Sequence, residues 1–413
     1  MGASKHKIKT IDLFAGCGGL MEGFEKTGHY ETLACVEWEK SPCDNLVKRL
    51  SGKWKYSDAQ KRVLRFDIQR TDELLNGWND TEFGENEGLD KIVGDNSVDV
   101  IIGGPPCQAY SLAGRIRDID GMKNDYRNYL FESYLKVVDR YKPKFFIFEN
   151  VPGMLSAAPD GTLIIDEIKE KFEKSGYKIT DDFKEATIDL TNYGIPQKRK
   201  RVIIFGVSIE HYKDKAAEIL KYFYHQLLVK YISEKKTVKE SIADLPSLYP
   251  SIKAYIADGK RFSHLHCDEK VSNHIPRFHS ERDIGIFKML ASDIESGNNL
   301  YTSTEKLKTL YYDMTGYKAN VHKYYVLRWN EQSNTIPAHL YKDGLRHIHP
   351  DSKQSRSLTV REAARLQTFP DDYVFIGGMM HQYKMIGNAV PPDFSYVIAS
   401  AIKDTIDLFG LEG

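Results

Sequence analysis

The chain has 413 residues, enough for a substantial core and two domains. Its 41% apolar and 28% charged composition is ordinary for a globular protein, and no apolar run approaches the roughly 20 residues of a membrane span. The net charge of zero excludes a uniformly basic nucleic-acid binder but not a local basic surface, of which Lys198-Arg199-Lys200-Arg201 is the densest.

The N-terminus, Met1 to Lys9, is short, basic and polar and lacks a signal-peptide pattern, so a soluble cytoplasmic protein is expected. The five cysteines, Cys17, Cys35, Cys43, Cys107 and Cys267, are odd in number, dispersed and free of CxxC pairs. That pattern supports neither a disulfide framework nor a structural zinc site.

The first half alternates strands and helices. Ile8–Phe14 is a strand running into Ala15-Gly16-Cys17-Gly18-Gly19, and a helix follows through Phe24. Thr32–Glu37 is a second strand, followed by a helix around Cys43–Leu50; Val63–Asp67 is a short third strand. Residues 80–94 are acidic and Gly-rich and are expected as an exposed loop. Val98–Ile102 is a strand leading into Gly103-Gly104-Pro105-Pro106. A helix over Tyr129–Tyr141 precedes the strand Phe145–Glu149, and Val202–Val207 is a later strand. The alternation predicts an α/β fold with a parallel sheet covered by helices on both faces. From about Ser208 to Asp371 the chain is richer in Tyr, His and Lys. Arg361–Phe369 reads as a helix stopped by Pro370, and Tyr383–Phe409 holds Gly387-Asn388-Ala389-Val390-Pro391-Pro392 and then an amphipathic helix.

The chemistry-bearing residues fall at strand ends. The glycine turn after the first strand lets a ligand approach the backbone, although its spacing misses the dinucleotide fingerprint. Glu37, about twenty residues on, can accept from ribose hydroxyls. Trp38 offers a flat face to a purine, and Asp67 can accept from an adenine amino group. Together these suggest an adenosine-containing ligand. The fourth strand ends at Cys107, presented after two stiffening prolines, which makes it a candidate nucleophile rather than one more buried cysteine. Glu149 ends the fifth strand and is a candidate general acid. Arg199 and Arg201 share one face of an extended segment and offer forks for carbonyl or carboxylate oxygen.

Phe14-Ala15-Gly16-x-Gly18-Gly19, Pro105-Pro106-Cys107-Gln108, Glu149-Asn150-Val151, Gln197-x-Arg199-x-Arg201, Leu358-Thr359-x-Arg361-Glu362 with Arg365-Leu366-Gln367-x-Phe369-Pro370, and Gly387-Asn388-Ala389-Val390-Pro391 resemble, in order, the motifs of C5-cytosine DNA methyltransferases. The resemblance implies a Rossmann-like methyltransferase fold that uses S-adenosylmethionine, with a smaller target-recognition domain. It implies a catalytic domain over 1–208, a target-recognition domain over 209–370, and a segment 371–413 returning to the catalytic domain. It implies that cytosine is flipped out of duplex DNA. Cys107 would attack C6, Glu149 would act at N3, Arg199 at O2, and Arg201 would order Glu149. The cofactor would be held by Phe14, Ala15, Gly16, Cys17, Gly18, Gly19, Glu37, Trp38, Asp67, Ile68, Pro106, Asn388 and Ala389, with Leu130 a further candidate. Gln108, Ser111, Arg115, Gln197 and Thr359 would contact DNA, the first three in a closing loop over 108–128.

The region from Ser208 to Ser357 would read the DNA sequence. Its candidate readers are Arg261, His264, Asn273, His274, Arg277, His279, Arg282, Arg328, Asn334, His339, Lys342 and Arg346. Its histidine pairs lack metal-ligand spacing, and no metal is expected. The resemblance further implies a monomer of bacterial type, the modification enzyme of a restriction system, with a partner nuclease acting on the same site without binding it. Three readings compete: the same chemistry on transfer RNA, a non-catalytic DNA-binding relative, and a nicotinamide-dependent oxidoreductase. The long region between motifs, the intact Cys107-Glu149-Arg199-Arg201 set and the glycine spacing argue against them in turn.

Overall fold

A computed structural model describes residues 7–106, 130–158, 161–265, 271–318, 320, 323–342 and 344–410. Cys107, Gln108, Ser111, Arg115 and the expected loop 108–128 lie outside the described residues, as do His266 and Cys267. The chain forms two compact units. One comprises residues 1–193, 200–233 and 389–413, and the other residues 194–199 and 234–388. The expected boundaries at 208 and 370 are displaced: Ile209–Ser233 belongs to the first unit, and residues 371–388 to the second.

The first unit is built on an eight-stranded sheet. Its strands are β1 (Ile8–Leu13), β2 (Tyr30–Glu37), β3 (Val63–Arg65), β6 (Val100–Gly103), β7 (Phe145–Asn150), β8 (Tyr177–Lys178), β9 (Thr187–Asp189) and β11 (Lys200–Ser208). A separate hairpin pairs β4 (Trp78–Asp80) with β5 (Gly84–Asn86), and β10 (Gln197–Lys198) belongs to the second unit. The sheet order is β3-β2-β1-β6-β7-β11-β8, with β9 also on β11. β1, β2, β3, β6 and β7 pair in parallel, and chain order reverses on either side of β1. That reversal leaves a crevice outside the strand C-termini, where open α/β sheets bind ligands.

β11 corrects the all-parallel expectation, because it runs antiparallel to β7, β8 and β9. A short return from β9 reverses the chain, and an antiparallel pair needs no crossover helix. Residues 80–94 are also more structured than expected. They hold β5 and a one-turn helix, Leu89–Val93, whose Leu89 and Val93 are buried, while Trp78 stacks on Phe66 at 4.0 Å. These apolar anchors outweigh the acidic composition around them.

The sheet core follows from the sequence of β7. Successive rings point to opposite faces. Phe146 stacks on Phe172 of helix α4 (Ile164–Lys174) at 4.3 Å, and Phe145 on Phe205 at 5.2 Å. Tyr134 of helix α3 (Leu130–Tyr141) donates to the carbonyls of Ile101 (3.1 Å) and Ile147 (2.9 Å). Helix α1 (Gly19–Lys26) follows β1, and helix α2 (Lys40–Gly52) follows β2. The chain's last helix, α9 (Pro392–Phe409), packs on α1. A Cβ on Gly23 would lie 2.4 Å from the Ser395 Cβ, so only glycine permits this approach. Tyr30 of β2 reaches the Ala399 carbonyl at 2.6 Å.

The second unit has its own core. Phe287 and Leu290 of helix α5 (Glu281–Glu295) meet Leu307 and Leu310 of helix α6 (Thr304–Thr315) and Tyr324. β12 (Pro250–Ala257) and β13 (Lys260–His264) form a hairpin, and β10 pairs in parallel with β14 (Ser333–Asn334). Helix α7 spans Val360–Leu366, shorter than the expected Arg361–Phe369. Thr359 starts it through a reciprocal cap with Glu362, and Thr368, at φ 64°, turns the chain before Pro370. Helix α8 (Met379–Asn388) closes the unit.

Buried polar groups also hold this unit together. Arg356 grips Glu362 with two bonds, 2.7 and 2.6 Å. Burial works to raise the Glu362 carboxyl, but the Arg356 guanidinium outweighs it and holds the carboxyl well below the usual range. His264, His274, His279, His347 and His349 are all buried. Burial pushes each imidazole below its ordinary value, His264 to about 4 and His347 and His349 to about 3. A histidine kept neutral in the folded state stabilises the fold above its unfolded pKa, and loses that stabilisation as pH falls from about 6.5 toward the depressed folded value. Denaturant midpoints for this unit are therefore expected to drop steeply between about pH 6.5 and 4. Each such histidine adds up to roughly 1.4 kcal/mol per pH unit over the window it spans. Urea titrations at pH 8, 6 and 4.5 check this; a midpoint flat across that range would contradict it.

Candidate active site

Three strand ends of the first unit carry the expected groups. β1 ends in a strained turn: Phe14 takes φ 57°, an unusual conformation for a bulky residue, followed by Gly16 at 55° and Gly18 at 83°. Gly18 is needed twice over, since a Cβ there would also lie 2.7 Å from Leu46. Gly19 has no room either, because the Val390 carbonyl oxygen stands 2.3 Å from where its Cβ would be. Around Gly16, by contrast, nothing lies within 4 Å of such a Cβ, so the turn leaves open space on that side.

The Glu37 carboxylate accepts from the Gly16 N–H at 2.9 Å and from the Glu39 N–H at 2.8 Å. Burial raises its pKa against the pull of these two N–H groups. Trp38 beside it is 45% exposed, a flat ring without a cover. Asp67 lies two residues past the end of β3 and accepts from the Gln69 N–H at 3.0 Å, with Ile68 buried behind it. Ala15 and Cys17 are buried, and Leu130 is buried at the start of α3. Ala389, beside Gly19, belongs to the first unit; Asn388 is exposed and belongs to the second. Open space beside Gly16, an uncovered indole and two carboxylates at adjacent strand ends suit an adenosine group.

Asp12 has no counterpart in the sequence reading. It is 1% exposed, and among the described residues neither carboxylate oxygen makes a well-formed hydrogen bond. Burial pushes its carboxyl well up, against the pull of the Met21 N–H. The signal was an acid in an otherwise apolar strand, which one carboxylate among 58 acids did not separate from the rest.

β6 runs into Gly104-Pro105-Pro106. A Cβ on Gly104 would lie 2.6 Å from Glu149 Oε2, so the backbone ahead of Cys107 in sequence abuts the Glu149 carboxylate. Asn150 donates weakly to the Pro105 carbonyl at 3.5 Å. Pro106 is exposed. Arg201 Nε meets Glu149 Oε1 at 2.7 Å, both side chains 12–13% exposed. The geometry follows from the pairing: Glu149 is opposite Ile203 in the antiparallel ladder, so Arg201, two residues away, lies diagonally on the same face.

Burial alternates along Gln197 to Arg201, as an extended segment requires. The division between the units falls within this motif: Gln197 and Arg199 belong to the second unit and Arg201 to the first. Arg199 is 2% exposed and donates to the carbonyls of Ile336 (3.2 Å) and Gly387 (3.4 Å). Gln197 and Thr359, expected at DNA, are fully buried. Gln197 donates to the Leu366 carbonyl and to Gln367, and accepts from the Ile336 N–H. Thr359 caps α7 and bonds His274. Both side chains bond within the second unit.

The expected base readers divide in the same way. His264, His274 and His279 are buried and hydrogen-bonded. Asn273 bonds the Phe375 backbone in both directions, and Arg277 holds the Leu340 carbonyl. Arg328 and Asn334 are half-buried; Arg261, Arg282, His339, Lys342 and Arg346 are exposed. Among the described residues, no three His, Cys, Asp or Glu side chains group as a metal site, and no helix is long and apolar enough to cross a membrane.

The strand order is that of a Rossmann-like S-adenosylmethionine-dependent methyltransferase fold. The sequence profile of the family described as C-5 cytosine-specific DNA methylase matches residues 8–404. The chain belongs to that family. It is 35% identical to the type II methyltransferase M.Bpa9945I of Bacillus paralicheniformis, over 96% of this chain and 99% of that one. It is 30% identical to the type II methyltransferase M1.HphI of Haemophilus parahaemolyticus, over 95% and 86%. Among solved structures, a prophage-encoded E. coli protein described as a DNA modification methyltransferase shares the fold at TM-score 0.63 and 22% identity, over 97% of this chain and 100% of that one. The Dnmt2 methyltransferase of S. pombe shares it at 0.53 and 13%, over 97% and 99%.

Arg201→Ala would leave the Glu149 carboxylate part-buried without its cation. A loss of about 1–3 kcal/mol in unfolding free energy is expected. Arg201→Lys should recover part of it, since the charge returns without the fork. Denaturant unfolding of the three proteins checks this, and an Arg201→Ala protein as stable as the parent would contradict the pairing.

Proposed function

We propose that this protein transfers a methyl group from S-adenosylmethionine to carbon 5 of cytosine in duplex DNA, with Cys107 as nucleophile. The observation that supports it most is the Arg201-braced Glu149 carboxylate set against Gly104, on the strand end that leads to Cys107, in a chain of this family. Carbon 5 of cytosine is a poor nucleophile. Addition of the Cys107 thiolate to C6 pushes electrons to C5, and proton donation from Glu149 to N3 draws them through the ring. Arg199 holds O2 of the base, and Arg201 fixes Glu149. Loss of the C5 proton to solvent then expels Cys107, and return of the N3 proton to Glu149 restores the ring. The base is out of the stack throughout, because C6 cannot be reached within the duplex.

S-adenosylmethionine, when bound, supplies the electrophilic methyl group that carbon 5 takes up. Phe14 and the Ala15–Gly19 turn, Glu37, Trp38, Asp67 and Ile68, with Pro106, Asn388 and Ala389, are the residues that would hold it. Glu37 takes the ribose hydroxyls, and Trp38 and Ile68 flank the purine. Gln108, Ser111 and Arg115 act on the DNA. The type II relatives support the modification role of a restriction system. A cytoplasmic monomer, beside a nuclease that recognises the same site, is proposed with it.

Cys107→Ser is expected to abolish covalent trapping on duplex DNA containing 5-fluorocytosine while leaving DNA binding intact. A wild-type protein that forms no trapped complex, or that methylates only transfer RNA, would overturn this reading. Glu37→Ala should weaken S-adenosylhomocysteine binding about 10- to 100-fold, as expected for lost charge-assisted hydrogen bonds, with little change in DNA affinity. Calorimetry reads the first and fluorescence anisotropy the second; equal losses in both would remove Glu37 from the ribose site. Bisulfite sequencing of DNA from cells expressing the protein identifies the recognition sequence.

A further inference from the structure

The hairpin β12–β13 of the second unit exposes more apolar surface than its own packing requires. Ile252 is 101% exposed and Ile256 76%. Covering such side chains removes apolar surface from water and is favourable. The hairpin is nonetheless well built. Asp258 and Gly259, both at positive φ, close it with a two-residue turn of the kind that matches strand twist. Its inner face is anchored: Tyr255 stacks on Phe262 at 5.6 Å and donates to the His264 carbonyl at 3.0 Å. Ile256 is paired with Arg261 and so shares the outer face with it. Ile252 lies in the irregular stretch between Pro250 and Tyr255, where the ladder is interrupted.

The charges on this element select its occupant. Residues 249–265 carry three cations, Lys253, Lys260 and Arg261, and one acid, Asp258, in a chain whose net charge is zero. All three cations are exposed. A protruding ribbon with apolar tips and flanking cations complements a DNA groove better than a protein surface, where lysine is depleted. The major groove admits a two-stranded ribbon, and the group there that rewards apolar contact is the thymine methyl.

Resting on the methyltransferase reading above, we propose that hairpin β12–β13 enters the major groove of the substrate DNA, with Ile252 and Ile256 against thymine methyl groups and Lys253, Lys260 and Arg261 on phosphates. The recognition sequence therefore contains an A·T pair read through its methyl group.

The test uses the full-length protein and a duplex bearing the site found by bisulfite sequencing. Replacing thymine in the site by deoxyuridine removes only the methyl group. Wild-type affinity should fall about 3- to 10-fold, and the Ile252→Ala/Ile256→Ala protein should bind both duplexes equally. Both isoleucines are exposed, so the double variant should keep the parent's unfolding midpoint, and this is measured alongside. Lys253→Gln/Lys260→Gln/Arg261→Gln should lower the slope of log affinity against log salt by about 3 on any sequence. A site without an A·T pair, a double variant still sensitive to deoxyuridine, or an unchanged salt slope overturns the proposal. So does a wild-type dimer in sedimentation that the double variant dissolves, which would assign the apolar face to a second copy. Wild-type methylation is assayed in parallel: its absence sinks the enzymatic reading, whereas its presence with an indifferent hairpin sinks only this proposal.

Discussion

The Val390 carbonyl stands where a side chain on Gly19 would begin, and Ser395 stands where one on Gly23 would begin. That close approach joins the chain's last twenty-five residues to its first turn. Without it, α9 could not lie on α1, and Ala389 would not stand beside the strained turn after β1. The glycines are therefore as much a demand of packing as of any ligand. Packed cores leave no slack for an added methyl group, so the contact tolerates little substitution. One end of the turn is closed by protein in this way, and the other, at Gly16, is left open. A single short loop thus both holds the first unit together and faces the crevice.

The ion pair of Glu149 and Arg201 arises in the same manner, from backbone geometry set elsewhere. β11 runs antiparallel to β7, and that reversal brings an arginine of the basic cluster diagonally across from an acid at the end of β7. A parallel β11 would not place them so. The strand that departs from the expected topology, β11, is the one that braces the candidate acid. Its cluster, read from sequence as a basic surface, splits by function: Lys198 and Lys200 face solvent, while Arg199 is enclosed by carbonyls and Arg201 by a carboxylate.

In the second unit, some of the polar residues that resemble base readers build the scaffold. Histidines, Asn273, Arg277, Gln197 and Thr359 hydrogen-bond inward, as the Arg356–Glu362 pair does. A histidine available to DNA and one bonded to a buried carbonyl have the same local sequence, which is why they could not be separated beforehand. Arg261, Arg282, His339, Lys342 and Arg346 remain exposed, and the hairpin with its exposed isoleucines stands out only once burial is known.

The sequence by itself determined six strands of the main sheet, the residues at their ends, and the family. Those features are local: apolar runs, glycine turns and short motifs whose meaning does not depend on distant partners. Phe14 to Gly19, Glu37, Asp67 and Glu149 were legible in that way. Tertiary structure alone decided the direction of β11, the unit to which each part of the Gln197–Arg201 motif belongs, the burial of Asp12, and the internal use of Gln197 and Thr359. Each depends on which group, far away in sequence, comes within hydrogen-bonding reach. A side chain's type specifies what it can bond, but only the folded chain specifies whether its partner is protein or is left for a ligand.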